Sequence, residues 1–138
     1  MENIAAYSTA IISLLVFVLI VLLQSALVGA GKAKTGLAPG GTPENDYDNS
    51  LYRLNRSHQN GVEIMAAASV ALFASILVGV SSWWVNLLMA IFLLTRLVYI
   101  FVYARGIGKP AQGTRTFTYV AGWAMLVVLC IMAILKVM

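Results

Sequence analysis

Four long apolar runs order the chain, and polar or glycine-rich segments separate them. The first occupies residues 4–30 and is interrupted by Ser8, Thr9, Ser13, Gln24 and Ser25. Residues 31–49 mix Gly, Pro, Asn and Asp, which favour turns and end helices, and read as a polar loop. The second run starts polar, as LYRLNRSHQNGVE, and turns apolar over residues 64–80. A short uncharged turn, GVSSWW, leads to a third run over residues 85–104, and RGIGKPAQG leads to a fourth over residues 114–136. About 20 apolar residues cross the hydrocarbon layer as a helix, which satisfies its own backbone hydrogen bonds in lipid. The pattern predicts helices over about 4–30, 50–80, 85–104 and 114–136. Four antiparallel spans joined in this way form an up-down bundle. The fold class is all-α integral membrane, a four-helix transmembrane bundle forming a single domain over residues 1–138.

Composition removes the alternative of a soluble helical domain. Of the 138 residues, 61% are hydrophobic and 10% charged, whereas a soluble domain is about half apolar and about a quarter charged. A core built from so short a chain hides only part of that apolar surface, so the solvent for the rest is lipid. The net charge of +4 would suggest nucleic acid in a soluble protein. Here the basic residues sit between apolar runs, the arrangement that sets membrane topology, and no nucleic-acid partner is expected. The single cysteine, Cys130, excludes an intrachain disulfide and a Cys-rich metal site, and its apolar surroundings make it an inert, lipid-buried residue. Glu2 and the length of the first run argue against a cleaved secretory signal.

Orientation follows from the positive charges. Lys32, Lys34, Arg53 and Arg56 surround the first loop, Arg105, Lys109 and Arg115 surround the third, and the turn between helices 2 and 3 has none. Positive segments stay in the cytoplasm, so the loops after helices 1 and 3 are expected there. Both termini are expected on the opposite side, with Trp83 and Trp84 anchoring that interface. On this topology the sequon at Asn55 faces the cytosol and carries no glycan.

Each ionisable group on a membrane helix costs about 2.5 to 3.5 kcal/mol on insertion scales, so it needs a partner or a purpose. On helix 2, Arg56, Asn60 and Glu63 share one face, with Arg53 a turn earlier; on helix 3, Arg96, Tyr99 and Tyr103 do the same; on helix 4, Arg115 and Tyr119 are i, i+4 neighbours. Counted from the turn at Ser81, Glu63 lies at the depth of Tyr99 with Arg96 about one turn deeper, so a Glu63–Arg96 ion pair between helices 2 and 3 is expected. Read for packing alone, these residues are an ion pair, interfacial tyrosines and topology signals. Read together, they converge on one pocket of guanidinium donors and phenols with a single carboxylate. Such a pocket suits a small anionic ligand that also carries an ammonium, because arginine forks bind carboxylates bidentately. A cation such as Arg115 would also lower the pKa of a bound thiol. No cluster of His, Cys and carboxylates suggests a metal. His58 points about 160° to 200° away from the Arg56–Asn60 face and reads as structural, as do the methionines and the Phe and Leu stripes.

The segment RLNRSHQNGVE resembles the signature of the MAPEG family, membrane-associated proteins in eicosanoid and glutathione metabolism, and the order of polar clusters along the chain is similar throughout. The resemblance implies a homotrimer with three glutathione sites near the cytoplasmic face, between neighbouring subunits. It implies that Arg53, Arg56, Asn60 and Glu63 hold the glutathione backbone and its charged ends, that Tyr99, Tyr103 and Tyr119 are further contacts, and that Arg96 lies at the foot of the site. It places Arg115 where the family has the arginine proposed to stabilise the thiolate, and Thr116 where a serine hydroxyl can stand. Gln59 and Tyr99 depart from the prostaglandin synthase pattern, which has arginine and histidine there. Lys32 or Lys34 matches the family's basic residue of helix 1 only loosely.

The function expected on these grounds is a membrane-bound glutathione transferase or glutathione-dependent peroxidase. It would act on a lipophilic small molecule arriving through the membrane, with glutathione as co-substrate. The alternative is a non-catalytic member of the family, either a lipid-binding protein or a structural subunit of a membrane complex.

Overall fold

The structure is a computed structural model that describes residues 4–109 and 113–138. A short 3-10 turn, Ile4–Tyr7, leads into four helices: α1 Ser8–Lys34, α2 Ser50–Leu77, α3 Ser82–Ala104 and α4 Thr114–Val137. All four are long and apolar enough to cross a membrane. Large apolar side chains cover the outside, among them Leu19, Leu23, Val70, Phe73, Trp123 and Leu135. In water such a surface would drive aggregation; against hydrocarbon it costs nothing. Cys130 is on this exposed surface of α4.

The ends of the elements depart from the sequence pattern in three places. Helix α1 runs on to Lys34, so Lys32 and Lys34 form its last turn and not the start of a loop. Ala and Lys are strong helix formers, and cations there oppose the negative end of the helix dipole. Helix α2 stops at Leu77, where Gly79 adopts φ +73. Helix α3 begins at Ser82, so Trp83 and Trp84 stand on its first turn, edge to face with centroids 4.6 Å apart. The turn thereby shifts from residues 81–84 to residues 78–81.

The core is a column of side chains from all four helices. Phe17 of α1 meets Phe92 of α3 edge on at 5.2 Å, with Leu72, Met89 and Leu129 fully buried around them. Two glycines allow close helix approaches inside the bundle. A Cβ at Gly61 on α2 would lie 2.9 Å from Val21 Cγ2 of α1, and one at Gly122 on α4 would lie 2.7 Å from Thr95 Oγ1 of α3. Hydroxyls inside the bundle bond back along their own helices: Ser13 to the Thr9 carbonyl, Ser75 to that of Ala71 and Thr118 to that of Thr114. No polar hydrogen is left facing lipid at these positions.

At the end with the short turn, Asn86 fastens the start of α1. Its Oδ1 accepts from the Ala10 N–H at 2.9 Å and its Nδ2 donates to the Ala6 carbonyl at 2.7 Å. Helix α1 has no capping side chain of its own, so a neighbouring helix supplies the acceptor that its first turn lacks. Tyr7 adds a bond from its hydroxyl to the Val80 carbonyl at 2.6 Å.

Candidate functional site

The opposite end of the bundle carries the two basic loops. There α2, α3 and α4 diverge around a cavity of about 210 Å³ lined by Arg56, Asn60, Glu63, Tyr99, Tyr103, Arg115, Thr116 and Tyr119. Eight of the ten residues singled out from the sequence therefore share one wall. The other two, Arg53 and Arg96, lie beside it and beneath it.

Helical geometry explains the arrangement on α2. Residues seven apart differ by about 20° in azimuth, whereas Asn60 is rotated about 40° to 60° from both Arg56 and Glu63. Arg56 and Glu63 accordingly face outward together and pair, Nη1 to Oε1 at 3.3 Å, with side chains 37% and 59% exposed. Asn60 turns inward, 5% exposed, and its Oδ1 accepts from Arg96 Nη1 at 2.9 Å. The expected Glu63–Arg96 ion pair does not form. Depth counting put the two residues within about one turn of each other, but rotation about α2 gives Glu63 to Arg56 and leaves Asn60 facing Arg96.

Arg96 is 1% exposed, with its guanidinium 4.4 Å from the Tyr99 ring centroid and 5.8 Å from that of Tyr119. Its Nε and Nη2 have no hydrogen-bond partner among the described residues. The aromatic faces supply attraction in place of a carboxylate, and Gly122 packs against the guanidinium, a Cβ there lying at an ordinary contact distance of 3.6 Å from Arg96 Nε. Next to it Gln24 of α1 donates to Ser57 Oγ of α2 at 3.1 Å, while Gln24 Oε1 lacks a described partner. The sequence showed Gln24 as a polar interruption and nothing in its spacing pointed to this contact.

Arg115 stands on the first turn of α4, where the helix dipole disfavours a cation, yet it is 4% exposed. Its Nε donates to the Ile107 carbonyl at 3.0 Å, and its guanidinium contacts two rings, 4.9 Å from the Tyr47 centroid and 5.0 Å from that of Tyr103. Its Nη1 has no partner among the described residues. Tyr99 and Tyr103 continue the aromatic wall with centroids 4.7 Å apart. A buried donor without an acceptor costs free energy unless a ligand supplies one. Arg115 therefore brings a cationic side chain to the cavity wall, with its Nη1 buried behind it.

Arg53 does not line the cavity. Its Nη1 donates to the carbonyls of Tyr47 and Asp48 at 2.7 and 2.9 Å, and its Nε donates to that of Tyr103 at 3.0 Å. Lys32 and His58 line a separate groove on the α1 side of α2, and Lys34 lines neither. Asn55 and Ser57, the ends of the sequon, are buried. Tyr47 was missed from the sequence, because a lone aromatic in an Asn- and Asp-rich loop has no periodic signature.

No curated protein matches the chain at a significant level. A scan against family models matches the MAPEG family over residues 9–135, which takes in all four helices and every residue of the cavity. On that match, the chain belongs to the MAPEG family.

Proposed function

We propose that the protein is a membrane-bound glutathione transferase or glutathione-dependent peroxidase that acts on a lipophilic electrophile. The observation that carries this reading is the convergence of Arg56, Glu63 and Arg115 with three tyrosines on one cavity. Glutathione presents two carboxylates, an ammonium and a thiol, and the lining has a matching partner for one carboxylate, the ammonium and the thiol. Arg56 offers a fork to a carboxylate, Glu63 an acceptor to the ammonium, and the Arg115 guanidinium in the wall a cation to an anionic sulfur. When bound, glutathione supplies the thiol that reacts. Arg115 favours the thiolate by its charge, Thr116 stands beside it as a hydroxyl donor, and Tyr99, Tyr103 and Tyr119 shape the wall. The chain thus contributes positioning and electrostatic stabilisation.

In this reading the functional unit is a homotrimer, with the loops after α1 and α3 in the cytoplasm. Two features support a second copy at the site. The cavity is below the roughly 300 to 1,000 Å³ of a complete ligand pocket, and the Arg56–Glu63 pair is half exposed on a helix of membrane length. A neighbouring subunit would enlarge the first and cover the second. The alternative is a structural subunit in which Glu63 and Arg96 serve packing; Arg96 joins α3 to α2 through Asn60, and Glu63 pairs with Arg56 on its own helix.

The test is glutathione titration of the detergent-purified protein by calorimetry, followed by turnover with hydrophobic electrophiles and hydroperoxides. Binding with turnover above the solution rate is expected, and Arg56→Ala should lower the affinity. Binding without turnover would move the protein to the non-catalytic branch. Absence of binding would end the glutathione reading.

A further inference from the structure

The loop between α1 and α2 is folded at its end, although its sequence has no hydrophobic pattern. The Asp48 N–H donates to Asp46 Oδ1 at 2.9 Å, the Asn49 N–H donates to the Asp46 carbonyl at 3.1 Å, and Asn49 Oδ1 caps α2 by accepting from the N–H groups of Leu51 and Tyr52. These bonds turn the chain sharply before the helix and leave the Tyr47 and Asp48 carbonyls pointing at Arg53. The Arg53 guanidinium takes both, and on its other edge takes the Tyr103 carbonyl near the end of α3. Gly106, at φ +66, lies against this guanidinium, where a Cβ would be 3.4 Å from Cζ. One arginine thus fastens the loop, the start of α2 and the end of α3.

The consequence is the placement of Tyr47. Its ring is braced edge on by Tyr52, with centroids 5.0 Å apart, and lies 4.9 Å from the Arg115 guanidinium, which is also 5.0 Å from the Tyr103 ring. Tyr47 is not part of the cavity wall, but Arg115 is. We infer that Tyr47, strapped down by Arg53, is a positioning residue that holds Arg115 in the cavity wall from the loop side. An arginine side chain has many rotamers, and contact with two aromatic rings removes most of them. The consequence for thiol activation rests on the reading under Proposed function; the strap itself does not.

The experiment uses the full chain in detergent as wild type, Tyr47→Ala, Tyr47→Phe and Tyr47→Leu, the last keeping side-chain bulk in case alanine impairs folding. The first readout needs no glutathione: the rate at which phenylglyoxal, an arginine-selective dicarbonyl, modifies Arg115, followed by peptide mass spectrometry with Arg56 as internal reference. Removing the ring should speed Arg115 labelling roughly threefold to tenfold in the alanine and leucine variants, leave the phenylalanine variant at the wild-type rate, and leave Arg56 unchanged. The second readout is the pH at which bound glutathione becomes thiolate. It should rise by about half a unit or more without the ring and return with phenylalanine. Unchanged Arg115 labelling in both the alanine and leucine variants would overturn the strap whether or not glutathione binds. Faster labelling with no thiolate in the wild type would uphold the strap and overturn the glutathione reading. Faster labelling with a wild-type thiolate whose pH midpoint is the same in all variants would overturn the positioning role.

Discussion

Arg96 Nη1 donates to Asn60 Oδ1 at 2.9 Å, joining α3 to α2 directly beneath the cavity with both residues at least nine-tenths buried. A cation in this position with no carboxylate partner among the described residues depends on that amide and on the tyrosine faces. Asn60→Leu should remove the acceptor while leaving the charge, at a cost of about 2 to 4 kcal/mol. The double variant Asn60→Leu with Arg96→Met removes both and should recover much of that loss. Thermal unfolding in detergent, read for the two singles and the double, checks the pattern.

Glu63 should behave in the opposite way. Its pair with Arg56 is largely exposed, and exposed pairs contribute about 0 to 1 kcal/mol. Glu63→Gln should leave thermal stability nearly unchanged while weakening glutathione binding about tenfold, the order expected for loss of one charge-assisted contact. Parallel melting and titration curves separate the two effects.

Gly122 allows α4 to reach α3. The Cβ of Gly122→Ala would meet Thr95 Oγ1, which is short and already bonded to the Phe92 carbonyl at 2.7 Å. The clash should cost about 1 to 3 kcal/mol, and Thr95→Ala in the same chain should relieve part of it. A melting-temperature cycle of the two changes is the check, and a strictly additive result would count against this close approach.

At the far end, Asn86→Ala removes an acceptor from the Ala10 N–H and a donor to the Ala6 carbonyl. The loss should be about 1 kcal/mol, as for a helix cap. It should show as faster amide exchange confined to the start of α1, with glutathione affinity unchanged.

Much of this architecture is legible in the sequence for a physical reason. Lipid demands long apolar helices, so the four spans stand out, and a period of 3.6 puts Arg56, Asn60 and Glu63 on one side of α2 before any packing is known. Partner choice within that face is another matter. A rotation of some tens of degrees decides whether Arg96 meets Glu63 or Asn60, and only the packing of α2 against α3 sets it. Helix ends were legible to within a few residues. Lys32 to Lys34 are equally compatible with a helix end or a loop until their neighbours are in place. Tyr47 and Gln24 carried no signal because their roles come from contacts across 68 and 33 positions of chain, to Arg115 and Ser57 respectively.

The central claim is that Arg115 holds a thiolate in this cavity. It is tested most directly by the ultraviolet difference absorbance of glutathione bound to the purified protein, in the wild type and in Arg115→Ala. The account predicts a thiolate band near neutral pH in the wild type, below the free thiol's pKa of about 8.5, and its loss in the variant while residual glutathione binding persists. No binding by the wild type at millimolar glutathione, or a thiolate band of equal strength in Arg115→Ala, would contradict it.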